Sequence, residues 1–131
     1  LLQEINKQAL KHDRIIKCLL QIKIAEEASK FGITPENAKN VLISEDFKAL
    51  KNIAITGLMG MATFTSDQKQ VEREFNTLKT TFEGLKSLRG ENCNLQTVSM
   101  GMSGDFKLAI DCGSTMVRVG SSIFGARNYN N

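Results

Sequence analysis

The run from Ile15 to Ile24 is aliphatic almost throughout, interrupted only by Lys17, Cys18, Gln21 and Lys23. A strand with one wet face alternates apolar and polar residues. A run with so little alternation needs cover on both faces, which a parallel sheet flanked by helices provides. Three more apolar runs follow, at Ile53–Met61, Leu95–Met100 and Thr115–Val119. Between them the spacing turns helical. Val71, Phe75, Leu78, Phe82, Leu85 and Leu88 step by three or four, while Glu72, Arg73, Lys79 and Lys86 fall largely off that stripe. The stripe is too short, and too closely flanked by strands, for a coiled-coil seam. Leu2, Ile5, Ala9 and Leu10 share a helical face over residues 2–12. Strands alternating with helices predict an α/β fold with a parallel sheet.

Local punctuation agrees. Thr34-Pro35 starts a helix, with a Thr cap and Pro at the first helical position. Val41, Leu42, Phe47 and Leu50 continue it, with a break near Ser44. Gly57 and Gly60 inside the second strand imply close backbone approach. Thr65 with Gln68 reads as a capping box. Asp105–Cys112 is a short helix with Gly113 as its cap, Glu26–Gly32 is a loop, and Ser121–Ala126 is a short helical tail. With no internal repeat, low-complexity segment or linker, residues 1–131 form one domain of four βα units. The chain lacks an initiator Met and opens in a helical pattern, so it is expected to be cut from something longer.

Composition excludes several classes. At 41% hydrophobic and 24% charged the chain is ordinary for a globular domain. No apolar run could span a bilayer, and the first residues show no secretory signal pattern. The formal charge of +3 is spread among acidic residues, with no basic stripe to suggest nucleic acid. Cys18, Cys93 and Cys112 form no CxxC pair, so they read as reduced thiols of a cytoplasmic protein and not as a metal or disulfide framework. His12, the lone histidine, reads as a solvated helix-end residue and rules out chemistry that needs two.

Two segments place small residues where a strand meets its next helix: Ser99-Met100-Gly101-Met102-Ser103-Gly104-Asp105 and Arg118-Val119-Gly120-Ser121-Ser122. In a (β/α) barrel the strand C-terminal ends carry the active site, and the last two βα loops commonly bind phosphate. Glycine lets the backbone approach an anion, serine donates a hydroxyl, and the helix start adds partial positive charge. A phosphate anion is the ligand such loops suit.

SMGMSGDF, followed by AIDCGSTMVRVGSSIFGAR, resembles the C-terminal signature of the pyridoxal phosphate homeostasis protein family, itself similar to the barrel domain of alanine racemase. QIKIAEEASKFGI and GLMGMA match two further family segments in the expected order. The resemblance covers essentially the whole chain. It implies the second half of a TIM-type (β/α)8 barrel, the cofactor pyridoxal 5′-phosphate, and a carrier or homeostasis role without established catalysis. Residue by residue, the family's cofactor contacts fall on Met102 and Ser103, on the backbone of Gly120 and Ser121, and on Arg118, which would face the pyridine nitrogen. A permanent cation there disfavours protonation of the ring and restrains carbanion chemistry. The family's Schiff-base lysine lies in a segment this chain does not contain, so cofactor binding here is expected to be weak or absent.

Other residues are read more plainly. Met59, Met61, Met100 and Met102 lie at strand ends, where they either line the pocket or, the plainer reading, fill the barrel core. Lys30 is a solvated loop lysine, although it matches one typical of the family. Glu26 and Glu27 point apart and do not form an acid–base pair. A full barrel needs eight strands and about 250 residues, so a half barrel of four strands is expected to self-associate through exposed strand edges. Two rival readings stand beside this one. A racemase-like enzyme would need a catalytic tyrosine from a second domain, and Tyr129 is the only tyrosine here. A generic phosphate-sugar or nucleotide enzyme would show a Walker pattern or a complete GxGxxG, and neither appears.

Overall fold

The structure, a computed structural model, describes residues 1–26 and 31–125. Glu27, Lys30 and Ala126 lie outside the described residues. The elements run α1 (Leu2–Lys11), β1 (Ile16–Gln21), α2 (Pro35–Ile43), α3 (Glu45–Lys48), β2 (Ile53–Met59), α4 (Gln68–Leu85), β3 (Cys93–Ser99), α5 (Phe106–Asp111) and α6 (Ser121–Phe124). The sheet is three-stranded, in the order β1-β2-β3, and both pairings are parallel. The α/β alternation read from the sequence is what the chain adopts.

β2 is the central strand, and Ile53, Ile55 and Leu58 on it are essentially inaccessible to water. The apolar stripe of α4 packs over it: Val71, Phe75, Leu78, Phe82 and Leu85 are buried, and Leu88 joins the core from beyond the helix end. Gly57 lets β3 come close to β2, and Gly60 leaves room for Ile24 and for Leu78 of α4. A Cβ on Gly57 would lie 2.2 Å from the Thr97 carbonyl oxygen, and one on Gly60 would lie 2.9 Å from Ile24 Cδ1.

The caps show where local chemistry decides. Thr34 Oγ1 accepts from the Asn37 amide at 3.2 Å and starts α2 as expected. Ser44 is both end and beginning: its hydroxyl donates to the Val41 carbonyl at 2.7 Å and accepts from the Phe47 amide at 3.2 Å. The expected capping box at Thr65 is corrected. Asp67 caps α4, with Oδ1 accepting from Lys69 and Gln70 amides, while Thr65 Oγ1 accepts only from the Asp67 amide. A carboxylate adjacent to the first turn is the stronger acceptor for its amides. On α1, Leu10 departs from the expected face and is 62% exposed, whereas Ala9 is buried.

The first strand is shorter than its apolar run. Ile15 is exposed, and past Gln21 the chain makes only one bridge, between Ile22 and Ile33, before Ile24 and Ala25 sink into the core. The fourth expected strand, Thr115–Val119, is a larger correction. It pairs with β3 through a single parallel bridge, Ser99 to Met116. Two hydroxyls bond to the same stretch of β3. Thr115 Oγ1 accepts the Val98 amide at 2.8 Å, taking the place of a backbone carbonyl in the ladder. Ser114 Oγ lies 2.6 Å from the Met100 carbonyl. These side-chain bonds add to backbone bonds from the Thr115 and Met116 amides to the Val98 carbonyl and from the Met100 amide to the Met116 carbonyl. Among the described residues no helix is long and apolar enough to cross a membrane.

Candidate functional site

The two Gly/Ser loops leave the sheet side by side. The Met100 amide donates to the Met116 carbonyl at 3.1 Å, and the Arg118 amide donates to the Gly101 carbonyl at 2.9 Å. These bonds continue the parallel alignment of β3 with residues 115–118 to the carboxyl end of the sheet. Gly101 turns the chain there with φ of 104°, and a Cβ on it would lie 2.7 Å from Ala109 Cβ. Only glycine fits both the torsion and the space.

From Met102 to Asp105 the chain closes on itself. Asp105 Oδ1 accepts from the Met102 amide at 2.7 Å, and the Asp105 amide returns to the Met102 carbonyl at 3.1 Å. The Met102 amide is therefore engaged inside the loop. Its side chain is 43% exposed, unlike the buried Met100, so Met102 does not fill the core as the sequence reading had it. Ser103 is half-buried and lines an open depression of about 420 Å³ with Gln68, Gly104 and Asp105.

Across from this loop, Gly120 precedes α6, and its carbonyl accepts from the Ile123 and Phe124 amides at 3.0 and 2.8 Å. The amides that open such a helical turn have no acceptor within the helix. Gly120, Ser121 and Arg118 are all exposed, and among the described residues a Cβ on Gly120 would meet nothing within 4 Å beyond its chain neighbours. The donors on this face are thus neutral or cationic, and the Asp105 carboxylate is turned onto its own loop. Such a set can hold a phosphate group.

The remaining candidates are simpler. His12 is exposed at the end of α1. Burial pushes the thiols of Cys18, Cys93 and Cys112 upward, and Glu72 and Asp111 add to the effect at Cys112. Glu26 Oε1 pairs with Arg73 Nη2 at 3.2 Å.

One residue escaped the sequence reading. Glu74 is 2% exposed, inside the apolar stripe of α4. It stands three residues after Val71 and four before Leu78, and that spacing was the available signal. Burial raises its carboxyl, but hydrogen bonds from Thr63, Glu26 and Gln70 outweigh burial and hold it below the usual range.

Comparison with known proteins adds the following. The family model for the alanine racemase N-terminal domain matches residues 1–128. The pyridoxal phosphate homeostasis protein of Haemophilus influenzae is 38% identical over 125 residues, which are 95% of this chain and 52% of that protein. The chain spans about half the length of the curated relatives it matches. PipY of Synechococcus elongatus superposes with a TM-score of 0.83 without pyridoxal phosphate, at 28% identity over 95% of this chain and 56% of that one. With pyridoxal phosphate bound to PipY, the TM-score is 0.78, at 27% identity over 94% and 55% of the two chains. An alanine racemase of Clostridium difficile shares the fold, with a TM-score of 0.69 at 19% identity over 98% of this chain and 34% of that one.

Proposed function

Because the chain belongs to the alanine racemase N-terminal domain family, we propose that it binds pyridoxal 5′-phosphate as a carrier or homeostasis module and is not an enzyme. The observation that carries this reading is the pair of Gly/Ser loops brought together by the Arg118–Gly101 hydrogen bond. In this reading the phosphate rests on the Ser103 hydroxyl and on the Gly120 and Ser121 amides, with Met102 beside it through its side chain. Fixed donors at the start of a turn are suited to a dianion. Arg118 faces the ring nitrogen, where its charge disfavours a proton on that atom. The cofactor, when bound, supplies an electron sink for chemistry at amino-acid carbons. An arginine at that position weakens the sink and leaves binding intact, which suits a carrier.

The relatives named pyridoxal phosphate homeostasis protein support the cofactor and the role. PipY with pyridoxal phosphate bound supports the cofactor directly. The unpaired cysteines fit a cytoplasmic setting. None of the lysines present lies in a motif matching the family's Schiff-base lysine, so binding through this chain alone is weak and reversible.

The test is titration with pyridoxal phosphate and with inorganic phosphate, followed by borohydride and mass spectrometry. The reading expects both ligands to compete for one site and no lysine to be fixed. A reducible adduct at one specific lysine would overturn the non-covalent assignment. Failure of either ligand to bind would overturn the cradle.

A further inference from the structure

Glu74 is a carboxylate with almost no access to water, on the inner face of α4, and four donors among the described residues converge on it. Oε1 accepts from the Thr63 amide at 2.6 Å. Oε2 accepts from the Thr63 hydroxyl at 2.8 Å, the Glu26 amide at 3.1 Å and Gln70 Nε2 at 3.1 Å. All four donors are neutral. Three of them share Oε2 and one takes Oε1. Burying such a group is costly unless its hydrogen bonds are made, and once made they are stronger than neutral ones.

The partners come from three places. Glu26 lies on the chain leaving β1, Thr63 on the chain leaving β2, and Gln70 in the first turn of α4, two residues after the Gln68 that borders the depression beside Ser103. Next to Glu74, Arg73 holds the Glu26 side chain at 3.2 Å. The Arg73-Glu74 pair thus grips Glu26 by both its carboxylate and its amide.

We propose that Glu74 is a positioning residue: its buried carboxylate clasps Glu26, after β1, and Thr63, after β2, to one point on α4, so that these two points at the carboxyl end of the sheet move as one body. Oε2 is the joint, because it takes bonds from both connections. This proposal stands apart from the cofactor reading, and its test involves no ligand.

The test is amide hydrogen exchange on the full chain, comparing Glu74→Gln, Glu74→Ala and Thr63→Val with the unchanged protein. In Glu74→Ala the Glu26 and Thr63 amides should exchange at least about tenfold faster, the factor one charge-assisted hydrogen bond carries, while Ile55 and Leu58 in β2 keep their protection. Glu74→Gln should recover part of that protection, because its amide nitrogen cannot accept from a backbone N–H. Thr63→Val removes the hydroxyl donor to Glu74 and keeps the Thr63 amide, and it should also speed exchange at Glu26, on the other connection. Unchanged exchange at Glu26 in Thr63→Val would overturn the coupling. An equal rise throughout the sheet would reduce Glu74 to a general contributor to stability and overturn the clasp. If Glu74→Ala does not fold, Glu74→Gln and Thr63→Val decide by the same criteria.

Discussion

Gly57 faces the carbonyl of Thr97 across the β2–β3 pairing so closely that a Cβ on Gly57 would stand 2.2 Å from the Thr97 oxygen and 2.7 Å from Thr97 Cβ. Both obstacles belong to the neighbouring strand, one of them to its backbone, so neither can swing aside as a flexible side chain would. Gly57→Ala must push β3 away from the central strand. Overpacking of this kind costs about 1–3 kcal/mol, and the rigid neighbour places this case at the upper end. Urea denaturation reads it as a lower midpoint. An unchanged midpoint would mean that the two strands pair in another register.

Gly120 presents the opposite case, since among the described residues an added Cβ there meets nothing within 4 Å beyond its chain neighbours. Gly120→Val should therefore leave the unfolding midpoint almost unchanged and still weaken pyridoxal phosphate binding, because the branched side chain fills the approach to the Gly120 and Ser121 amides. Ser103→Ala should lower affinity by about 1.5–3 kcal/mol, the range for a hydrogen bond to a charged group. Calorimetric titration measures both. Gly120→Val binding like the unchanged protein would place the phosphate elsewhere.

Acid stability should report on Glu74. Its carboxyl is held below the usual range: burial pushes it up, but the bonds from Thr63, Glu26 and Gln70 pull it down further. A depressed carboxyl binds fewer protons in the folded state than in the unfolded one. Its contribution is complete above the ordinary glutamate value of about 4.3 and is lost as pH falls through the lower folded value. Glu74→Gln should flatten the acid limb of a stability-against-pH curve and cost most near neutrality. Arg73 and the Glu26 carboxylate, the charges beside this group, are present in both proteins and do not account for the difference. A parallel offset at every pH would count against the assignment.

Association is expected through β1, which is an edge strand in the order β1-β2-β3. Such an edge offers unpaired backbone groups to another chain, and Ile15 beside it is 64% exposed. Sedimentation velocity over a wide concentration range should show reversible self-association. A lysine at position 15 should weaken it, and a monomer at all concentrations would rule it out.

What could be read in advance was whatever depends on neighbours in the chain. Thr34-Pro35, the break at Ser44 and the stripe from Val71 to Leu85 are local patterns, and each held. The segment at Thr115–Val119 looked like a strand because β-branched residues favour one. It meets β3 in a single bridge, Ser99 to Met116, and the bond from the Val98 amide to the Thr115 hydroxyl is a contact between distant residues that periodicity does not express. Glu74 was obscured differently. A glutamate inside an apolar stripe reads as surface until Thr63 and Glu26 are seen to supply its donors. In the candidate site, the small residues were visible, while the Asp105–Met102 bond that shapes the loop was not.

That bond has a kinetic consequence. With the Asp105 carboxylate already seated on the Met102 amide, the turn has its form before any anion arrives. If a phosphate seats as proposed, it need not order that turn, and its cost of capture there is mainly its own lost freedom of movement. Uptake should follow a single phase whose observed rate rises linearly with ligand concentration. A loop that had to assemble around its guest would instead level off at the rate of its own rearrangement.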